Sequence, residues 1–464
     1  MDTTSTTWLG LTMACAQCHD HKYDPLTRTD YYGLLDVFNR VSETGAPTQF
    51  SARIRVAPPV LELPTEENTR RLAELEAEMK GLEAHVAQYD AAKKACDDYK
   101  ADQIPRVMIM SDAQPRETKI LDRGDYLAPV GEPITFLPPA ALPPLPEGLP
   151  RNRLGFARWL FLPEHPLTAR VQVNRMWQQF FGTGLVKTTE DMGVQSEYPL
   201  HMGLLDWLAV EFREQGWSQK RMHRLLVTSA TYRQSSRVTP EHLARDPENR
   251  LHARAARFRM PSPVLRDVAL AAAGLIDLRV GGQPVYPYQP DQIWESLAIT
   301  KERDFTYPAS HGPDLYRRSL YTFWRRTVSP ANMFDAASRQ TCSVRVSRTC
   351  TPLHALTTLN DPTWVEAARV LAEKSLHAAA DLDGRLIHAF RRILGRAPSS
   401  SDLDALRRMH ARQLAIYAAD SAAAQQFIAV GEAPRDESLD PARHAALSSV
   451  CLAILNLDEA LTRE

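Results

Sequence analysis

Long apolar runs are missing from this chain. No stretch approaches the roughly 20 apolar residues that a membrane-spanning helix needs, so no transmembrane segment is expected. A charge imbalance is missing too. Lysine and arginine number 55 against 56 aspartates and glutamates, for a net charge of −1, which excludes the global field that draws a protein to nucleic acid. Cysteine is scarce, six in 464 residues, and Cys96, Cys342, Cys350 and Cys451 are too scattered for a disulfide framework. Spacing leaves a Cys342–Cys350 bridge open, but free and mostly buried thiols are the expectation. No secretory leader is visible either: "MDTTSTTWLGLTMAC" has no basic opening and only a short apolar stretch. With 44% hydrophobic and 24% charged residues, what remains is an ordinary globular chain, long enough for about two to four domains.

Against that background "CAQCHDHKYDP" at 15–25 stands out. Six cysteines and fourteen histidines give on the order of 0.002 chance occurrences of C-x-x-C-H in such a chain. On a helical turn residues i and i+3 share a face, so Cys15 and Cys18 can form thioethers to one porphyrin while His19 ligates the iron of a haem c. The competing chemistry is a compact zinc set of Cys15, Cys18, His19 and His21, strained because ligands 18 and 19 are adjacent. A thioredoxin-like pair requires a βαβ context that is not visible. A structural or vestigial motif stays open. Neither Met13 nor His21 makes an easy second iron ligand, since both are tied to the side of His19.

The pattern along the chain predicts a mainly α protein. In 1–60, "DYYGLLDVFNRV" puts Tyr31, Leu34, Leu35 and Phe38 on one helical face, too little apolar surface for a core of its own. Over 61–102, Leu72, Leu75, Met79, Leu82, Val86 and Tyr89 form a heptad seam; Lys93 interrupts it and Cys96 returns to register. That spacing predicts one long amphipathic helix, packed on another helix of the same chain. Residues 103–150 read as a small antiparallel β unit followed by the Pro-rich linker "EPITFLPPAALPPLPEGLP". From 151 to 464 a multi-helical domain is expected. One helix stops at Gly182 and Gly184, and another carries Leu204, Leu205, Trp207, Leu208 and Phe212 on its apolar side. Ser218 caps the next, Ser401 and Asp404 form a capping box, and "ALSSVCLAILNLDEAL" is the final helix.

"LGLTMACAQCHDHKYDPLTRTDYYGLLDVF" resembles the closing motif of the planctomycete cytochrome-c-like domain of unknown function. "ARVQVNRMWQQFFGTGLVKT", "LLDWLAVEF", "GWSQKRMHRLLVTSATYRQSS", "DPENRL" and "TPLHALTTLNDPTWVEAAR" resemble the planctomycete-specific C-terminal domain of the same proteins, and "VMIMSDAQPRETKILDRGDYLAPVG" resembles the segment that bridges them. The resemblance implies export to the cell envelope, a periplasmic or exported location, and a c-type haem serving electron transfer; it implies no established reaction. It also implies an N-terminally truncated cytochrome-like domain; with no leader visible, either the true start lies upstream of Met1 or the motif is never loaded with haem. Where the family reads Ala-Glu before "LRD", this chain has Ser262-Pro263; Cys350 replaces a polar residue, and "NLDEAL" departs from the family pattern.

Other chemistry is thin. Asp206, His223, Ser229, Glu190, Asp191 and His201 are available, without a nucleophile elbow or H-E-x-x-H pair. Beyond residue 150 lysine is sparse, while Arg317, Arg318, Arg325, Arg326, Arg339, Arg345 and Arg348 cluster with few acids. Arg317, Arg318, Arg325 and Arg326, interleaved with aromatics, are candidates for an anionic glycan, against the plainer role of tying elements together. Arg123-Gly124-Asp125 is read as a turn. The leading expectation is a haem-linked redox protein with a redox partner protein. The rival is a haem-free scaffold that binds anionic polysaccharide.

Overall fold

The computed structural model describes residues 1–41, 59–82, 86–112, 115–293, 307–324, 330, 332–336, 342–345 and 348–463. Within them the protein is mainly α, and its only sheets are three antiparallel pairs of short strands. No described helix is long and apolar enough to cross a membrane.

The N-terminal region begins with α1 (Asp2–Thr4), runs through a 3-10 turn at Ala14–Gln17 and ends in α2 (Arg28–Asp36). Thr27 and Asp30 close a capping box on α2, which fixes where that helix starts. The expectation that this region cannot bury a core alone is met by residues far along the chain. Leu9, Met13, Ala16, Tyr32 and Leu34 pack with Phe136, Phe156 and Trp159. Asp36, 2% exposed, binds the two parts together. It accepts hydrogen bonds from the Thr118 hydroxyl at 2.9 Å, the Phe136 N–H at 3.1 Å and Arg40 at 3.1 Å.

The heptad seam is present, but the single long helix is not. The segment forms α3 (Glu66–Gly81) and α4 (Val86–Gln103), which pack on each other. Asn68 near the start of α3 bonds the Tyr99 hydroxyl near the end of α4, so the pair is antiparallel. The pair is closed at its base by β1 (Val60–Glu62) against β2 (Arg106–Met108). Among the described side chains of the seam, Leu75 and Cys96 are buried. The apolar period carries no information about where the chain reverses, and Gly81, the weakest helix former there, stands at the break. The expected β unit is the hairpin of β3 (Thr118–Leu121) and β4 (Pro129–Ile134), and the Pro-rich stretch after it holds neither helix nor strand.

Two helical layers follow α5 (Arg153–Leu160). In the first, α6 (Thr168–Phe181), α7 (Met202–Glu214) and α8 (Gln219–Thr228) share a core of Val173, Trp177, Leu205, Leu208, Phe212 and Met222. Gly182 ends α6 at φ +79°, and Ser218 caps α8, as the sequence predicts. On α7 the apolar side is narrower than expected: Leu204 and Trp207 are exposed, because its neighbours cover only the stripe 205–208–212. After α9 (Pro240–Arg245) comes the second layer: α10 (Ser262–Ala273), α11 (Pro352–Asn360), α12 (Pro362–Ala378), α13 (Leu382–Leu394), α14 (Ser400–Ala419), α15 (Ser421–Ile428) and α16 (Pro441–Leu455). The inner helices are α12 and α16, where Trp364, Ala368, Leu371, Leu447, Val450 and Cys451 are essentially inaccessible.

Two boundaries differ from expectation. The capping box of α14 uses Ser399 and Asp402, not Ser401 and Asp404, because Ser399 is the residue with extended backbone (φ −70°, ψ 170°). The final helix breaks after Leu455, where the Asn456 side chain donates to the Leu452 carbonyl at 2.9 Å and accepts from Thr358. A short α17 (Asp458–Leu461) follows, and β6 (Thr462–Arg463) then pairs with β5 (Phe258–Arg259).

Candidate functional site

The 3-10 turn at Ala14–Gln17 divides the C-x-x-C-H motif between core and solvent. Ala16 is fully buried and Met13 is 1% exposed, so both anchor the turn from below. Cys15, Cys18 and His19 are exposed. Side chains at i and i+3 eclipse on a 3-10 turn, which puts Cys15 and Cys18 on one edge. The turn is clamped from one side by the Tyr32 hydroxyl, which donates to the Gln17 carbonyl at 3.0 Å. Beside it, burial, reinforced by Asp2, Tyr32 and Cys18, pushes the Tyr31 phenol up to about 12. The Arg123-Gly124-Asp125 tripeptide is a turn, as expected, with φ +48° at Arg123 and +78° at Gly124. It lies against the motif: a Cβ at Gly124 would stand 3.0 Å from the Cys18 sulfur.

The two histidines are held in opposite tautomers. His19 Nδ1 lies 2.7 Å from the Asp20 carbonyl oxygen. A carbonyl only accepts, so that bond places the proton on Nδ1 and leaves the Nε2 lone pair open. His21 Nδ1 instead accepts the Asp24 N–H at 2.8 Å and the Tyr23 N–H at 3.4 Å. Its Nδ1 lone pair is therefore engaged and its proton sits on Nε2. The Asp24 carboxylate stands farther off, at 3.5 Å, so the backbone bond decides the tautomer. Among the described residues no three His, Cys, Asp or Glu side chains gather around a common point where a metal ion could bind. The four-residue zinc set is thus not assembled.

The other candidates are dispersed. Asp206 is paired with Arg170 at 2.6 Å. Ser229 donates to the Leu226 carbonyl and accepts the Tyr232 N–H, as a helix-end residue does. His223 packs edge-on against Phe180. Arg317, 4% exposed, donates to the carbonyls of Arg279, Gly281 and Gln283 and stacks over Tyr321 at 3.8 Å. That guanidinium is a structural tie and offers no fork to a glycan. Arg318 shares the Tyr321 ring at 5.6 Å, while Arg325 and Arg326 lie outside the described residues. All six cysteines are free, so Cys342 and Cys350 form no bridge; Cys96 and Cys451 are buried, but Cys342 and Cys350 are exposed, against the expectation for them.

Sequence reading also missed a cavity of about 330 Å³ that brings His201 and His252 together, their rings 5.7 Å apart. Asn249 and His252 there hold φ of +54° and +53°, a cost that non-glycine residues seldom bear. Burial, then His201, pushes the His252 imidazole down to about 4. Asparagine is a known tenant of that backbone region and was the one available signal; nothing marks a histidine for it.

No curated protein and no solved structure matches the chain. Two family models do. Residues 1–43 match PSCyt2, a protein of unknown function (DUF1549), which ends just past α2 and takes in the whole C-x-x-C-H turn. Residues 152–410, more than half of the chain, match PSD1, running from α5 into α14, and by that match this protein belongs to the PSD1 family of proteins of unknown function (DUF1553).

Proposed function

We propose that the protein is a c-type haem-associated redox protein of the cell envelope, with Cys15 and Cys18 as attachment positions and His19 as iron ligand. The observation that carries the proposal is the His19 imidazole, whose Nδ1–H is held by the Asp20 carbonyl at 2.7 Å. That is the arrangement which orients an imidazole and raises its basicity as a metal ligand. Two exposed free thiols on the same edge of the turn supply the positions for thioether attachment.

These residues fit the group. When bound, haem c supplies a one-electron couple, tuned by its ligands and surroundings. The chain's part is to position. Ala16 and Met13 fix the turn from beneath, Tyr32 clamps it through Gln17, and Gly124 leaves the flank of Cys18 uncrowded. Met13 is buried in the core, which removes it as a second iron ligand. The opposite tautomer of His21 argues against it in the same way.

The test is export of the chain together with a haem-maturation system, followed by denaturing electrophoresis and haem staining. Wild type is expected to stain, and a C15S/C18S double variant is not. Haem that is lost on denaturation from wild type, or staining equal in the double variant, overturns the proposal. Elemental analysis of the same sample for zinc addresses the metal alternative.

A further inference from the structure

Between the two helical layers, next to β5 and the start of α10, lies a cavity of about 660 Å³, a volume typical of small-molecule sites. Phe258, Met260 and Phe334 form much of its apolar wall. Its charged lining is Arg345, Arg348 and Asp335. The Asp335 carboxylate is already committed, accepting the Thr349 N–H at 2.7 Å and the Thr349 hydroxyl at 2.8 Å. The His354 imidazole lies 4.0 Å from it.

Arg348 is different. It is half-buried, and among the described residues it has no carboxylate partner. Its guanidinium lies 4.3 Å from the centre of the Phe258 ring, and Arg463 lies over the same ring at 5.5 Å. Burial, and then the charge of Arg463, push the Arg348 guanidinium down. Two guanidiniums drawn to one ring, neither paired with a carboxylate among the described residues, repel each other in a partly desolvated place, and an incoming anion relieves that repulsion. The sequence continues the theme: residues 336–360 contain Arg339, Arg345 and Arg348 and no aspartate or glutamate.

We propose that this cavity binds an amphipathic organic anion, its carboxylate, sulfate or phosphate held by Arg348 and its ring body seated against Phe258, Met260 and Phe334. The proposal is independent of the haem reading. Isothermal titration of the full chain with naphthalene-1-sulfonate, naphthalene-1-carboxylate and the neutral 1-naphthalenemethanol tests it. At least one anion is expected to bind saturably and about tenfold or more tighter than the alcohol, and the stronger of the two identifies the headgroup. R348Q should weaken the anion about tenfold, and A336W, which fills the cavity from its lining, should abolish binding. Equal affinity for the alcohol, no binding of either anion, or unchanged affinity in R348Q overturns the proposal. Should R348Q lose its helical circular dichroism, A336W decides, and binding retained there overturns it.

Discussion

Two imidazoles two residues apart do different work because their backbones offer them different partners. His19 meets a carbonyl and keeps Nε2 free; His21 meets two N–H groups and becomes a cap for the turn before α2. The sequence already favours His19 as the iron ligand and keeps His21 only for the zinc alternative; the tautomers that divide them lie in hydrogen bonds a few ångströms long. The motif itself was legible, because C-x-x-C-H is too rare to arise from this composition by chance. Gly124 was legible only as a turn residue; its contact with Cys18, more than a hundred positions away, was not. At φ +78° with a sulfur 3.0 Å from any Cβ, Gly124→Ala is expected to cost about 1–2 kcal/mol. It should also change the rate at which Cys18 is alkylated, read by mass spectrometry of the Cys15–Cys18 peptide. An unchanged melting temperature together with an unchanged alkylation rate would show that the turn does not press on the motif.

At the scale of elements, apolar period predicted which faces are buried better than where elements end. The seam from Leu72 to Cys96 was read correctly as a packing surface, yet it folds onto itself as α3 and α4 rather than running straight. On α7 the stripe was drawn too wide, since period alone does not reveal how much of a helix its neighbours cover. Caps follow the same logic. Ser399 and Ser401 are both serines ahead of an acid three residues on, and only backbone geometry selects Ser399. Ser399→Ala is therefore expected to destabilise the protein by about 1 kcal/mol, with Ser401→Ala near neutral, both read from urea midpoints. The reverse order would put the cap at Ser401.

At the scale of the molecule, the N-terminal region and the hairpin are one packed unit, although 77 residues lie between Val41 and Lys119 in the sequence. Asp36 is the link, and Asp36→Ala leaves the donors of Thr118, Phe136 and Arg40 without their acceptor. A loss of about 2–4 kcal/mol is expected, with earlier proteolysis in residues 1–41 than in the helical layers. Equal protease resistance would remove that role. Buried histidines contribute to the acid limb of stability. Burial pushes His165, 7% exposed, down to about 4 from an ordinary 6.5. The unfolded chain then binds the proton first, so this stabilisation is complete above pH 6.5 and is lost as the pH falls toward 4. His165 alone contributes about 3 kcal/mol of that slope, and His165→Phe should flatten the fall of the urea midpoint across that window. An identical slope in the variant would assign the acid limb to other groups.

The central claim concerns the edge of the turn that carries Cys15, Cys18 and His19. Its most direct test is the absorption spectrum of the full chain purified after export with a haem-maturation system, recorded after acid–acetone extraction has removed any haem that is not covalently held. A Soret band that survives extraction in wild type and vanishes in C15S/C18S is the predicted result. A wild-type spectrum with no Soret band after extraction, from folded and correctly exported protein, would contradict the account.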